Sequence, residues 1–559
     1  MKKIKYILLL AVSVLMMTGH FACSDSYLDE KPLDKFSPEN LLTTKDGFET
    51  VLFGLYNFVR TENFISTNDD ALNTGTDVAC SGVTDGRFFN DYSLILPEHA
   101  TPRYFWDWAY TKMLKNANLV ITRAENSGIN WTEEEKNQIL AEARFFRAYT
   151  YNALVNLFGG VPLVDKEETA PRFDYTRASR LEVLEFVKND LLFAAQYLPV
   201  VSNDASKDGR VFRAAANHLL SEVYISLGLE SGDNSNFDKS IAAATQVIDG
   251  HCGEYNLVTA RFGNTQRTGD YYSDLFWTGQ QNRTSGNKES IWVLQYEYLT
   301  PGGEANNAHL RLWGPKFEDV TFPDGKKLLV CDSLGRMQGI VRPLNHANYD
   351  VWADDPNDMR YSVHNFRKDF YMNNPDSEYF GEKVVLTKKA DGKMYITLSD
   401  GTITNSAVDT FRVFYPHFRK IEGEQPWGAM AGRTPNDRYM MRLSETYLLR
   451  AEAYFHKGEM NNAAADINVV RGRAKAIPAM PSQINIDYIL DERIRELVVE
   501  EHRRKTLIRL NKLYERAVKY NFRVEPNMKP YHELLPIPQK AIDANVGAKL
   551  TQNPGYPGA

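Results

Sequence analysis

The strongest constraint on the fold is a segment near residue 150 whose apolar side chains repeat with the period of an α-helix. At 3.6 residues per turn, one sector of about 100° collects Ile139, Ala143, Phe146, Ala153, Leu154 and Leu157. Ala141, Ala148 and Tyr151 lie on the opposite side, where small residues let a second helix approach closely. We therefore expect a helix packed on both sides that ends at Gly159 and Gly160.

The same period returns in two later helix–loop–helix units. The first carries apolar stripes at Ala216, Leu219, Leu220, Val223 and Leu227 and then at Ile241, Ala244, Thr245 and Ile248. The second carries them at Leu448, Ala451 and Phe455 and then at Ala463, Ile467, Val470 and Ala474. Gly228, Gly250 and Gly458 end helices. Such pairs resemble diverged tetratricopeptide hairpins, and they predict a mainly α-helical scaffold over about 37–254 and 436–520.

Between these units, residues from about 255 to 435 lose the helical period. The segment is rich in Gly, Asn, Asp and aromatic residues, which favours loops and turns. Val384–Ile403 alternates in polarity around two Asp-Gly turns, which predicts one or two small hairpins. We interpret the segment as a variable insert within a single domain that spans 23–559.

The N-terminus has the pattern of an export signal. Lys2, Lys3 and Lys5 precede an apolar run that is too short to span a bilayer, so residues 1–22 are predicted to be a signal peptide. Ala22-Cys23 is the arrangement that bacterial lipoprotein processing requires, and we predict lipidation of Cys23. The alternative is an ordinary signal peptide that happens to end near a cysteine.

Composition and motifs exclude several classes of function. The net charge of -7 offers no field that would gather a nucleic acid. Beyond Cys23 only three cysteines remain, which form no disulfide framework. The zinc-protease, serine-hydrolase, phosphate-loop and dinucleotide motifs are all missing from the sequence. We therefore predict no catalytic residue, metal or cofactor, although a carboxylate pair of a glycosidase needs no motif.

Two acidic clusters invite a chemical interpretation, and we prefer a structural one for each. The segment from Glu492 to Leu510 is predicted to be a helix that carries acids and arginines three or four residues apart, which is typical of ion pairs. Asp354, Asp355 and Asp358 have the composition of a calcium loop, but the intervening proline favours a turn.

Several segments resemble the SusD/RagB family of nutrient-binding lipoproteins. The most specific is EARFFRAYTYNALVNLFGGVPLV, a two-faced aromatic helix that ends in Gly-Gly-Val-Pro-Leu. The others, in the family's order, are SYLDEKP after Cys23, DDPNDMR, RLSETYLLRAEAYFHKG, ERIRELVVEEHRRKTLIRL and LLPIPQKAIDANVGAKLTQNPGY.

The resemblance implies a fold with four tetratricopeptide-like helix pairs and a non-enzymatic function. Such a protein is anchored by lipid at the outer face of the outer membrane, binds an oligosaccharide and delivers it to a SusC-like TonB-dependent transporter. A tethered receptor keeps captured ligand near the pore, which raises its local concentration. The alternatives are a RagB-like protein that captures peptides, a surface glycoside hydrolase, and an intracellular adaptor, which the export signal contradicts.

Ligand-contacting residues are expected where aromatic and polar side chains mix in irregular segments. A sugar presents an apolar C–H face that stacks on Trp or Tyr, and its hydroxyl groups pair with polar side chains. The candidates in the early loop and the insert are Arg87, Phe88, Asn90, Tyr92, Tyr271, Tyr272, Trp277 and Trp313.

Overall fold

The computed structural model describes residues 38–64, 71–83, 88–126, 128–300, 307–331 and 334–559. The predicted signal peptide, Cys23 and Arg87 lie outside these ranges, as does the side chain of Phe88. The described helices are α1 (Pro38–Leu41), α2 (Lys45–Phe64), α3 (Ala100–Asp107), α4 (Lys115–Asn126), α5 (Glu133–Phe158), α6 (Arg180–Tyr197), α7 (Arg213–Ser231), α8 (Ser235–Ile248), α9 (Tyr271–Asp274), α10 (His309–Trp313), α11 (Asn345–Asn348), α12 (Leu443–His456), α13 (Met460–Arg473), α14 (Ile486–Leu497), α15 (Arg503–Arg509), α16 (Leu513–Tyr520) and α17 (Gln539–Ala544), with a π-helical turn (Trp108–Leu114) between α3 and α4.

Helix α5 forms the centre of the scaffold, as its period predicts. Thr132 and Glu135 form a capping box at its N-terminus, and Gly159 ends it with a φ of 74°. Nearly all side chains from Ile139 to Phe158 are buried, so neighbouring helices cover both faces. Burying each large apolar side chain contributes about 1.5–3 kcal/mol.

The helices pack as four pairs, in agreement with the prediction. Helix α2 contacts α4, α5 contacts α6, α7 contacts α8, and α12 contacts α13. Contacts of α6 with α7 and of α8 with α12 join successive pairs. Within the described ranges, no helix is both long enough and apolar enough to cross a membrane.

Short antiparallel strands lie within the insert and join it to the segments on either side. They are β1 (Ala79–Ser81), β2 (Ser290–Leu294), β3 (Val341–Pro343), β4 (Phe366–Arg367), β5 (Val385–Lys388), β6 (Met394–Thr397), β7 (His417–Phe418) and β8 (Arg438–Arg442), paired as β1–β3, β2–β8, β4–β7 and β5–β6. The β5–β6 ladder, with Asp391-Gly392 at its turn, confirms the predicted hairpin. The insert also contributes most of a second apolar core, built around Trp313, Phe317, Phe322, Trp352, Phe366, Phe370, Phe414 and Phe418, and completed by Val78, Ala79, Ile494, Val498 and Val499 from outside the insert.

A buried network of ion pairs joins the insert to the C-terminal helices. Its acids are Glu289, Asp355, Asp358, Glu492, Glu496 and Glu500, and its cations are Arg360, Lys420, Arg442, Arg471, Arg473 and Arg495. We call these twelve residues the ion lattice. Its acids and cations are equal in number, so each buried charge has a counter-charge nearby. Burial alone would raise the pKa of Glu492, but Arg360, Arg495 and Arg471 lower it to about 2.

The ion lattice confirms the structural interpretation of both acidic clusters. Glu492 and Glu496 bind arginines, and Asp358 and Asp355 accept hydrogen bonds from Arg360 and Arg471. The predicted single helix from Glu492 to Leu510 is divided in the structure into α14 and α15. Val499 lies at the break with a φ of 76°, and the turn directs the carboxylate of Glu500 to Arg442.

Candidate functional site

An exposed set of aromatic side chains lies at one end of the β2–β8 pair. Because the two strands are antiparallel, the chain that leaves β2 and the chain that enters β8 lie side by side. The first carries Tyr298 and the second carries Trp427, and their ring centroids are 4.9 Å apart in an edge-to-face contact. The guanidinium of Arg433 lies over the Trp427 ring, 4.9 Å from its centroid.

Trp277 lies beside this pair, on the chain that follows α9. The backbone N–H of Glu424 donates to the hydroxyl of Thr278 at 2.8 Å, which brings the Trp427 loop next to Trp277. The guanidinium of Arg267 stacks on Trp277 at 3.6 Å from the ring centroid. We call Arg267, Trp277, Tyr298, Trp427 and Arg433 together the aromatic face.

A cleft of about 410 Å³ opens at Trp277. Its lining mixes the indole with polar side chains, namely Arg267, His364, Arg419, Glu422 and Gln425. Burial would raise the pKa of Glu422, but Arg367, the His417 hydrogen bond and Arg419 hold it well below its usual range. The cleft therefore offers one ring for stacking and several hydrogen-bonding groups around it, which suits a polar ring-shaped ligand.

The loop that carries Arg267 is held by a second arginine. Arg261 donates to the Asp274 carboxylate at 2.5 Å and to the carbonyl oxygens of Gly269 and Arg267 at 2.9 and 2.7 Å. Asp270 caps α9 by accepting from the Ser273 N–H. These bonds fix the backbone that presents Arg267 and Trp277, so their stacked geometry is formed before any ligand arrives.

Comparison with known families decides the class of this fold. Residues 344–556 match the model of the SusD family, and residues 26–225 match a model described as starch-binding and associating with the outer membrane. The chain belongs to the SusD/RagB family. The two matches together span most of its length, in agreement with the resemblance seen in the motifs.

Relatives of the family cover nearly the whole chain at low identity. SusD-like protein P2 of Formosa agariphila is 24% identical over 573 residues, which is 99% of this chain and 100% of the relative. Starch-binding protein SusD of Bacteroides thetaiotaomicron is 23% identical over 80% of this chain and 78% of its own. The structure of a laminarin-binding SusD-like protein superposes with a TM-score of 0.65 at 22% identity, covering 91% of this chain and 99% of the other.

Three of the predicted ligand contacts of this SusD/RagB chain are buried side chains, and we correct the predicted site accordingly. Tyr92 is fully buried, where its hydroxyl donates to the Gly75 carbonyl and accepts from Arg504. Tyr272 is buried over the ion lattice, and Trp313 lies in the core of the insert. A ring that is covered on both faces has no surface to offer a sugar.

Two further predicted residues perform structural tasks. The side-chain amide of Asn90 accepts from the Ser81 N–H and donates to the carbonyls of Ser81 and Val83. Tyr271 is half-buried, and its hydroxyl donates to the Arg473 carbonyl at 2.8 Å. Of the predicted residues whose side chains the structure describes, Trp277 is the one placed on the aromatic face.

The structure adds Arg267, Tyr298, Trp427 and Arg433, which the sequence analysis did not select. Trp427 had a sequence signal, because it stands between a Gln-Pro and a Gly within a turn-rich stretch. Tyr298 and Trp427 meet only through the pairing of β2 with β8, across more than a hundred residues of chain. The periodicity of one segment carries no information on such a long-range partner.

Proposed function

We propose that this protein captures a glycan at the cell surface and delivers it to a SusC-like TonB-dependent transporter. The observation that carries the proposal is the aromatic face, where Trp277, Tyr298 and Trp427 lie next to hydrogen-bonding side chains. Stacking on exposed rings holds a sugar without any chemical step. The affinity is expected to be modest, since such a surface buries few atoms of the ligand.

The names of the relatives support a carbohydrate ligand. One is a starch-binding protein and another a laminarin-binding protein, and a further SusD-like structure holds laminarihexaose. The family model's description supports association with the outer membrane. We propose that Cys23 carries the lipid anchor and that residues 255–435 form the ligand-binding insert of a single domain.

The electrostatics of the cleft support a binding protein over a glycoside hydrolase. A hydrolase needs one protonated carboxylic acid and a second carboxylate flanking the bond that is cleaved. Glu422 is the carboxylate that lines the cleft, and three basic neighbours, Arg367, Arg419 and His417, keep it ionised. Such a group is a poor proton donor, so we propose that the bound glycan leaves intact.

Glycan binding by the purified mature chain tests the proposal. Affinity electrophoresis or calorimetry should detect binding to members of a polysaccharide panel, and the double substitution Trp277→Ala with Trp427→Ala should weaken it about tenfold or more. Trp131→Ala is the matched control, because this half-buried tryptophan packs on Phe48 in the scaffold. Release of reducing ends, or unchanged affinity in the double variant, contradicts the proposal.

The remaining parts of the proposal have separate readouts. Binding of a peptide library with no binding of glycans supports the RagB-like alternative. Substitution of Cys23 by serine should release the protein from the membrane fraction. Solubilised membranes should yield a TonB-dependent barrel together with the tagged protein, and its absence contradicts the delivery step.

A further inference from the structure

The two arginines of the aromatic face form no ion pair with the carboxylates that the structure describes. Arg267 and Arg433 each stack on a tryptophan, and neither forms an ion pair with any residue in the described ranges. The Nε of Arg433 is buried and has no hydrogen-bond partner there. Two stacked guanidinium groups therefore hold free N–H donors at the surface where the glycan is proposed to bind.

The backbone of two more arginines lies near Arg433. A Cβ atom at Gly432 would lie within 4 Å of the Cβ atoms of both Arg336 and Arg311. Neither Arg311 nor Arg336 makes an ion pair with a carboxylate that the structure describes, although Arg336 acts electrostatically on Glu318. Four arginines therefore belong to this part of a chain whose net charge is -7.

The acids near the aromatic face do not balance its arginines. Some of them already bind other arginines, and the exposed ones are fewer than the cations. Glu422 already binds Arg367 and Arg419, and Asp274 binds Arg261. Two exposed acids, Glu297 and Glu424, lie on the same segments. They are outnumbered by the four unpaired arginines. Burial and the nearby Arg419 lower the pKa of Arg267, whereas the carboxylates of Glu422 and Asp274 raise it.

Stacking also gives the guanidinium groups the right geometry for an anion. An arginine that stacks on an indole has a restricted orientation, so less conformational freedom is lost when its planar fork binds an anion. Carboxylate and sulfate groups accept two such bonds side by side. A neutral hydroxyl supplies no charge to offset the partial desolvation of the arginine when a ligand covers it.

We infer that the captured glycan is acidic, with carboxylate or sulfate groups that bind Arg267 and Arg433 while its rings stack on Trp277 and Trp427. This inference rests on the proposed function and specifies its substrate class. Arg311 and Arg336 attract the ligand at longer range. A glycan with several charged sugars experiences this attraction at each of them.

A panel of three ligand types tests the inference. The carboxylate probe is an oligogalacturonate, the sulfate probe is a carrageenan oligosaccharide, and the neutral probes are laminarihexaose and maltohexaose. At least one acidic probe should bind about tenfold tighter than the neutral ones, and its affinity should fall as NaCl rises from about 50 mM to about 500 mM. The acidic probe that binds shows whether the site prefers carboxylate or sulfate groups.

Variants connect that preference to the two arginines. Arg267→Gln with Arg433→Gln should weaken acidic binding about tenfold more than it weakens neutral binding, and it should remove most of the dependence of acidic binding on salt. Lysine at both positions should recover part of the affinity, because it restores the positive charge but not the planar fork of arginine. Arg172→Gln is the control, because Arg172 stacks on Tyr175 in the scaffold. Thermal melts confirm that each variant is folded.

The outcomes separate the inference from the proposed function. Neutral glycans that bind as tightly as acidic ones, without dependence on salt, overturn the inference and leave glycan capture intact. Acidic binding that survives the loss of both arginines also overturns it. If no glycan of either kind binds, the proposed function fails together with it.

Discussion

The ion lattice and the aromatic face both use arginine, and they treat its charge in opposite ways. In the lattice, six cations meet six acids, and groups such as Arg360, Glu492 and Glu496 are fully buried. On the face, Arg267 and Arg433 stack on rings and have no acid bound among the described residues. A buried charge that serves the fold requires a partner from the same chain. A surface arginine is solvated by water and needs no such partner, so its N–H donors stay available to an anionic ligand.

The aromatic residues of the insert divide in the same way. Trp313 and Trp352 fill its core, whereas Trp277 and Trp427 remain partly exposed at its edge. Only a few residues of the insert, such as Trp292 and Leu294, reach the main helical core, so most of its apolar side chains are buried in a second core. Aromatic abundance in a loop-rich segment therefore indicates a hidden core as readily as a binding surface.

The largest expected effect comes from removing one acid of the ion lattice. Glu496→Gln withdraws a negative charge that contacts Arg360, Arg442 and Arg473, so buried positive charge is left in excess. Urea denaturation should show that the free energy of unfolding is lower by about 5 kcal/mol, or the variant should fail to fold. Glu424→Gln, an exposed acid of the face, should change stability by less than about 0.5 kcal/mol. Equal effects at both positions would erase the contrast between the regions.

A slightly smaller loss of stability is expected when Trp313 is substituted, which tests the contrast between buried and partly exposed aromatic residues. Trp313→Ala leaves a cavity in the core of the insert and should lower the free energy of unfolding by about 4 kcal/mol. Trp277→Ala should cost less than about 1 kcal/mol, because its ring is only half-buried. The paired measurement is denaturation together with glycan affinity. We expect the Trp313 variant to lose stability and the Trp277 variant to lose binding.

Acid titration should weaken the ion lattice from a defined pH. The folded-state pKa of Glu492 is about 2, below its unfolded value near 4.5, so its contribution is complete above the unfolded value and is lost as pH falls toward 2. We expect the contribution of Glu492, taken as the difference between the parent protein and Glu492→Gln, to be steady from pH 7 to about 5 and then to drop by about 3 kcal/mol. Equilibrium unfolding at several pH values measures this. A decline that begins well above pH 5 would assign the loss to other groups.

The sequence predicted the helices well because their signal is local. The apolar period around Phe146 and the stop at Gly159 describe neighbouring residues, so one segment suffices. The stop predicted at Gly228 was wrong, because α7 continues to Ser231 and Gly232 ends it with a φ of 70°. The ion pairs of Glu492 and Glu496 were predicted in kind, but their partners Arg360 and Arg442 come from distant segments that no spacing rule connects. The site was predicted least well, because exposure of a ring depends on which strands pair and on where the insert forms its core.

Substitution of Asn90 has the smallest expected effect on stability. It also tests most directly whether this residue contacts the ligand or supports the fold. Its amide makes three hydrogen bonds to Ser81 and Val83, and it therefore holds the loop after β1. Asn90→Ala should lower the free energy of unfolding by about 2 kcal/mol, since three hydrogen bonds of about 0.5–1.5 kcal/mol each are lost and water replaces part of them. Glycan affinity should stay within about twofold of the parent protein, because the amide has its partners within the chain. Thermal denaturation and calorimetry on the same sample decide the case. A large loss of affinity with unchanged stability would return Asn90 to the binding site and show that the early loop belongs to the ligand surface.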